Sequence, residues 1–170
     1  FVDPLLFAGY RVVAFDQPAH GESDGKKTNL LEIAPVMDLI AQQEGSFHAV
    51  IAHSFGTLIT SYALVNRSFP PPARLVYFGA FNRLMDSLPR FQVLAQMPDE
   101  IMEELRGMIY QSFGQEVLES ITNEFMTPRI DIPSLMFHDV ADNVTPVEDS
   151  QAIARVWKNS QLIETEGLGH

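Results

Sequence analysis

The residues best able to do chemistry in this chain are one serine, two aspartates and a late histidine. Ser54 stands in His48-Ala49-Val50-Ile51-Ala52-His53-Ser54-Phe55-Gly56-Thr57-Leu58. A strand-like apolar run enters Ala52-His53-Ser54-Phe55-Gly56, and a helical pattern leaves it. A serine on a sharp strand-to-helix turn sits in strained backbone, so the residues two before and two after it are expected to be small. Ala52 and Gly56 meet that expectation. The helix start behind Ser54 brings positive dipole and unpaired N–H groups. The Phe55 N–H is placed to donate to an oxyanion. The short small-x-Ser-x-Gly match is weak alone; the strand before it and the helix after it give it meaning.

A serine hydroxyl needs a base, and the base needs an acid to orient it. Asp139 and Asp142 lie in His138-Asp139-Val140-Ala141-Asp142-Asn143-Val144-Thr145-Pro146, after an apolar run. Acids at the carboxyl ends of parallel strands sit on the functional side of the sheet. His170 follows Gly167-Leu168-Gly169, whose glycines let a loop return over the sheet. From the residues alone, Asp139 and Asp142 both remain open as the acid. Either could also be a solvated turn acid or a helix N-cap, and Asp149 reads as one of these. His53 adjoins Ser54, but a sharp turn points neighbouring side chains in different directions. His20 lies in Asp16-Gln17-Pro18-Ala19-His20-Gly21-Glu22-Ser23, where glycine and Ser23 shape a loop. His48 begins a strand and reads as structural. His138 with Asp139 and Asp142 suggests a metal site but lacks further spaced ligands.

These residues need a scaffold. Apolar runs at Arg11 to Phe15, His48 to Ala52, Leu75 to Phe78, Ser134 to Phe137 and Gln161 to Glu164 read as strands. The first four are continuous, as in parallel strands covered on both faces. Helical patterns lie between them. Thr28-Asn29 caps one through Leu30, Ile33, Val36, Met37 and Ile40, with Pro35 implying a kink or a later start. Others run from Ser54 to Val65 and from Glu148 to Trp157. Strands alternating with helices predict an α/β fold, a mostly parallel sheet with helices on both faces.

Residues 81–128 break the rhythm with helical patterns and no strand. One opens at Pro98-Asp99 with Ile101, Leu105 and Met108 on one face. Another follows Gly114 with Val117, Ile121 and Phe125 on one face. Five of the seven methionines fall here. They either fill the core of a helical insert or line a cap over an apolar pocket, because Met adapts to irregular shapes. The predicted organisation is a core of residues 1–80 and 129–170 and a helical cap insert of residues 81–128.

Composition narrows the function. The length of 170 residues fits one domain, and a hydrophobic share of 46% supports a packed core rather than disorder. No apolar run approaches the roughly 18 residues of a membrane span. A net charge of −11 argues against nucleic-acid or anionic-membrane partners. The absence of cysteine removes a Cys nucleophile, disulfides and Cys-based zinc sites, and is compatible with the cytoplasm. The chain begins at Phe1 rather than Met, which leaves its true N-terminus open.

Four motifs together resemble the α/β-hydrolase superfamily, closest to bacterial esterase-like members with a small helical cap. Asp16 with His20-Gly21-Glu22-Ser23 resembles the signature after the family's fourth strand. Ala52-His53-Ser54-Phe55-Gly56 is similar to its nucleophile elbow, with Ala52 in place of the first glycine. Asp142-Asn143-Val144-Thr145-Pro146 is similar to its Asp-x-x-Val-Pro motif, and selects Asp142 over Asp139. Gly169-His170 resembles its catalytic Gly-His. The spacings of 88 residues from Ser54 to Asp142 and 28 to His170 leave room for a cap. The serine speaks against relatives that use Asp as nucleophile.

The resemblance implies a serine esterase or thioesterase acting on a small, apolar acyl substrate. Ser54 is then the nucleophile, His170 the base, Asp142 its orienting acid and Phe55 an oxyanion donor, with no cofactor and no metal. Other Ser-triad chemistry (acyl transfer, peptide or carbon–carbon cleavage) shares this framework. Against the family pattern the chain looks like a fragment lacking the first three strands, the oxyanion loop after the third, and the last helix. Residues 1–6 read as the tail of the helix after that loop. A strand at Arg11 to Phe15 then has no natural neighbour, and the 170 residues alone are expected to be poorly stable or to form a homo-oligomer. The competing expectation is an impaired fragment or non-catalytic relative that only binds.

Overall fold

The computed structural model describes residues 2–170; Phe1 lies outside the described residues. Four parallel strands form one sheet: β1 (Ala49–His53), β2 (Arg74–Phe78), β3 (Ser134–Asp139) and β4 (Ser160–Thr165). They lie in sequence order across the sheet. Helices connect them. Helix α1 (Val2–Phe7) and helix α2 (Leu30–Glu44) precede the sheet, and α3 (Phe55–Asn66) joins β1 to β2. Four helices, α4 (Leu84–Leu94), α5 (Asp99–Phe113), α6 (Gln115–Ser120) and α7 (Asn123–Met126), lie between β2 and β3. Helix α8 (Val147–Val156) joins β3 to β4.

Strand order and handedness together decide which face is covered. Crossovers between parallel strands are right-handed, so three steps in one direction put their connections on one face. On that face Ala52, Leu75, Tyr77 and Met136 pack with Ile153 and Trp157. The Trp157 indole N–H donates to the Ile130 carbonyl at 2.9 Å, which satisfies its polar end inside the core. Truncating Trp157 to alanine would cost about 3–5 kcal/mol. A second cluster joins α2 to α3 through Ile33, Ala34, Met37, Leu58, Ile59 and Ala63. The strand positions of opposite parity are less buried. Ile51 is 36% exposed, and the Phe78 and Phe137 rings stack with centroids 5.2 Å apart. Burial in β1 thus falls on one face, with Ala52 its only fully buried residue, rather than on both faces.

Asn29 caps α2 as the sequence predicts. Its side-chain oxygen accepts from the Leu31 and Glu32 N–H groups at 2.9 and 3.2 Å, while its amide donates to Glu32 at 2.8 Å. The helix starts at Leu30, so Pro35 lies inside it and does not delay it.

Three expectations are corrected. The run from Arg11 to Phe15 is not a strand. A strand needs a hydrogen-bonded neighbour, and this segment lies outside the sheet, anchored by Arg11 to Glu44 and preceded by Tyr10, whose ring is tilted against His48 with centroids 5.6 Å apart. Helix α5 buries Met102, while Ile101 and Met108 are exposed, so its packed face is rotated from the expected one. The pattern after Gly114 is two short helices. Thr122 interrupts it in extended backbone, forms an antiparallel bridge with Arg83 and caps α7 by accepting from the Phe125 N–H. Leu118, Ile121 and Met126 are buried there, whereas Val117 and Phe125 are exposed.

Candidate active site

The serine turn forms where β1 runs into α3. Ser54 has φ 53° and ψ −127°, in the left-handed half of backbone space that side chains avoid. The surrounding hydrogen bonds hold it there. Its N–H donates to the Phe78 carbonyl at 2.9 Å, extending the β1–β2 ladder by one residue. Its carbonyl accepts from the Thr57 N–H at 3.0 Å and the Thr57 hydroxyl at 2.7 Å. The Ser54 hydroxyl makes no capping bond to α3. The main chain is therefore fixed by hydrogen bonds that leave the hydroxyl out of the helix cap. The Phe55 N–H belongs to the first turn of α3, where N–H groups have no partner within the helix. One expectation about this turn fails: a Cβ added at Gly56 would meet nothing within 4 Å. The turn leaves room there that the motif's steric argument did not foresee.

Asp142 sits in the turn after β3, with its N–H donating to the Asp139 carbonyl at 3.1 Å. Its side chain is 1% exposed. Oδ1 accepts from the Val144 and Thr145 N–H groups at 2.8 and 2.9 Å. Oδ2 accepts from the Thr145 hydroxyl at 3.1 Å and from His170 Nδ1 at 2.8 Å. Burial alone would raise the carboxyl pKa, but the His170 bond and the two backbone N–H groups hold it below its ordinary value. Because Nδ1 faces a carboxylate, it carries the proton, which leaves His170 Nε2 as the lone-pair nitrogen. The Thr145 hydroxyl also lies 3.0 Å from His170 Nδ1.

The structure thus joins Asp142 to His170. The His170 ring also lies against the His53 ring, with centroids 4.6 Å apart, one residue from Ser54. Among the described residues, no hydrogen bond links the Ser54 hydroxyl to His170. The His53 pKa is lowered, first by burial and then by repulsion from His170. A cleft of about 540 Å³ beside His170 is lined by Ile51, His53, Phe78, Phe137 and Leu168 among others, and by no residue of the helices between β2 and β3.

The other candidates separate. Asp139 is 3% exposed and accepts from the Ala141 and Leu168 N–H groups and the Thr165 hydroxyl rather than from a histidine. His138 is buried, with Nδ1 2.6 Å from the Ser150 hydroxyl and Nε2 3.0 Å from the Thr145 carbonyl. Both its nitrogens are engaged within the protein, and its Nε2 stands 3.3 Å from Asp142 Oδ2. Among the described residues, no group of three His, Cys, Asp or Glu is arranged to hold a metal ion. His20 is exposed in a loop where Asp16 accepts from the Glu22 N–H and the Ser23 hydroxyl donates to the Asp16 carbonyl. Asp149 is neither the N-cap of α8 nor a solvated turn acid. Pro146 holds the cap position, and Asp149 accepts from the Asn82 N–H at 3.1 Å with a pKa raised by burial.

Two residues of the site escaped sequence reasoning. Thr145 appeared only as part of a motif, yet it touches both Asp142 and His170. Gly79 has φ 51°, and a Cβ there would lie 3.4 Å from Asp142 Oδ2 and from the His170 ring. A glycine immediately after an apolar strand was the available signal.

Comparisons with known proteins give the family and the fold. A model of the alpha/beta hydrolase family matches residues 1–170, and the chain belongs to that family. No curated protein matches. Among solved structures, the chain is similar to an esterase from Exiguobacterium antarcticum, with TM-score 0.73 and 20% identity over 99% of this chain and 77% of that one. It is similar to a monoacylglycerol lipase from Paleococcus ferrophilus, with TM-score 0.71 and 21% identity over 99% of this chain and 78% of that one. A meta-cleavage product hydrolase from Pseudomonas fluorescens gives TM-score 0.68 and 17% identity over 98% of this chain and 75% of that one. At these identities the likeness establishes the fold. No helix among the described residues is long and apolar enough to cross a membrane.

Proposed function

We propose that this chain carries the machinery of a serine hydrolase that cleaves ester or thioester bonds of a small, apolar acyl substrate. The observation that carries the reading is the 2.8 Å bond from His170 Nδ1 to the buried Asp142 carboxylate, formed beside the strained Ser54 turn. In this mechanism the Ser54 hydroxyl attacks the acyl carbon and His170 Nε2 takes its proton. Asp142 holds the Nδ1–H tautomer and stabilises the imidazolium. The Phe55 N–H donates to the developing oxyanion. His170 then returns the proton to the leaving alcohol or thiol. Water, deprotonated by the same histidine, releases the acid from Ser54. None of these steps calls for a metal or cofactor.

Residues 81–128 are proposed as the cap over the acyl group, and the apolar Ile51, Phe78, Phe137 and Leu168 lining the cleft beside His170 support an apolar substrate. A series of p-nitrophenyl esters of increasing chain length, run with Ser54→Ala as control, tests this. Ser54-dependent turnover that peaks at a short apolar chain is expected; no turnover of any ester would overturn it. A binding role without catalysis is the second reading. It is favoured by the open Ser54–His170 link and by Phe55 as the sole oxyanion donor identified, since one such donor is worth about 10²–10³ in rate. Under that reading the Ser54→Ala variant binds acyl ligands as the parent does and neither turns them over.

A further inference from the structure

Asp139, which loses to Asp142 as partner of the histidine, is placed to do something else. It is the last residue of β3 and pairs in register with Thr165, the last residue of β4. The turn holding Asp142 and the loop holding His170 leave the sheet at these two points. They are distant in sequence and lie side by side here.

The carboxylate of Asp139 spans the gap. Oδ1 accepts from the Ala141 N–H at 2.9 Å, on the Asp142 side. Oδ2 accepts from the Leu168 N–H at 2.7 Å and the Thr165 hydroxyl at 3.3 Å, on the His170 side. Gly167 and Gly169 have φ of 80° and 72°. Glycine adopts this left-handed backbone at little cost, and the two turns around Leu168 bring its N–H to the Asp139 carboxylate. Leu168 is 77% exposed, so side-chain packing contributes little to holding this loop.

We propose that Asp139 is a positioning residue that clamps the His170 loop to the Asp142 turn, so that the imidazole meets its acid and faces Ser54. The clamp rests on the serine-hydrolase reading for its effect on rate but not for its effect on geometry. Asp139 touches no reacting atom. Replacing it by asparagine puts an NH₂ where one acceptor oxygen stood, facing N–H donors. The loop then loosens and His170 spends less time on Asp142.

The test uses Asp139→Asn and Asp139→Ala in the full chain, with two readouts. The first is the rate of Ser54 labelling by a fluorophosphonate, alongside kcat and KM on a p-nitrophenyl ester. The second is the low-field proton resonance of the His170 Nδ1–H, which reports the bond to Asp142 without any turnover. A misplaced catalytic group can cost about 10²-fold. A 10- to 100-fold fall in labelling rate and kcat is expected, with KM nearly unchanged and the resonance broadened or lost. Asp139→Asn keeps the side-chain shape, so it remains informative if Asp139→Ala fails to fold. Wild-type resonance and wild-type labelling in a folded Asp139→Asn protein would overturn the clamp, even if its melting temperature fell. If the parent itself shows no Ser54-dependent labelling, the hydrolase reading fails. The resonance alone then decides the clamp.

Discussion

Replacing Asp142 by asparagine should be more damaging than its small size suggests, and the reason lies in Oδ1. Two backbone N–H groups, from Val144 and Thr145, donate to Oδ1 at 2.8 and 2.9 Å. In the Asp142→Asn variant they require the amide oxygen at that position. The flipped amide would leave two buried donors facing an NH₂ group. That costs roughly 2 kcal/mol or more, a preference of about 30-fold. The NH₂ is therefore directed to the Oδ2 position, opposite His170 Nδ1. A donor there drives the imidazole to its other tautomer, with the proton on Nε2 and no lone pair for Ser54. An Asp-to-Asn change that imposes the wrong tautomer lowers kcat by about 10⁴, near 5 kcal/mol of transition-state stabilisation. Asp142→Ala imposes no tautomer, so the asparagine variant should be no faster than the alanine variant despite its closer fit. The assay is steady-state hydrolysis of a p-nitrophenyl ester by the three proteins. An asparagine variant within tenfold of the parent kcat would refute the reasoning, because Asp142 would then not set the histidine's proton.

Ser54→Gly should raise the melting temperature while abolishing labelling. A non-glycine residue in this backbone region costs about 1–3 kcal/mol, offset in part by glycine's larger unfolded-state freedom, so a net gain near 1 kcal/mol is expected in a urea melt. No gain would mean the turn is unstrained. Gly79→Ala should lose about 1–2 kcal/mol from its positive φ alone and bring a methyl against Asp142 and His170, lowering kcat. Gly56→Ala should fold with stability within about 0.5 kcal/mol of the parent, because its Cβ enters open space; a collapse in stability would restore the motif's steric argument. The lowered Asp142 pKa fixes a sign for acid behaviour. Its stabilisation is fully present above the ordinary carboxyl pKa of 3.8 and is lost as pH falls through the lower folded value. The stability gap between parent and Asp142→Asn should therefore shrink on acidification below that range; a gap unchanged down to pH ~2 would contradict the assignment.

The sequence was most informative where one local cause decides the outcome. The cap at Asn29, the strand-turn-helix at Ser54 and the apolar runs of β2, β3 and β4 follow from short-range chemistry, and all appear. Asp142 was selected over Asp139 by motif likeness and not by physics. From the residues alone Asp139 and Asp142 were equivalent, and only the folded loop shows which one meets the histidine. Periodicity misled where helices lack a continuous partner. In α5 the pattern of Ile101, Leu105 and Met108 gave a good stripe, yet contact with the rest of the protein buries Met102 instead. Arg11 to Phe15 has strand composition, but pairing is a property of the neighbour, and the described sheet offers it none. Thr145 and Gly79 were invisible as site residues because their roles depend on contacts across 25 and 91 residues of chain.

The central claim is that Ser54 is an activated nucleophile, and covalent labelling tests it most directly. The full-length protein would be treated with a fluorophosphonate and the modified residue mapped by mass spectrometry, with Ser54→Ala and His170→Ala alongside. A single adduct on Ser54, absent in the first variant and slowed at least about 10³-fold in the second, is the predicted result. A folded protein that takes up no label, or takes it up equally well without Ser54 or His170, would contradict the account.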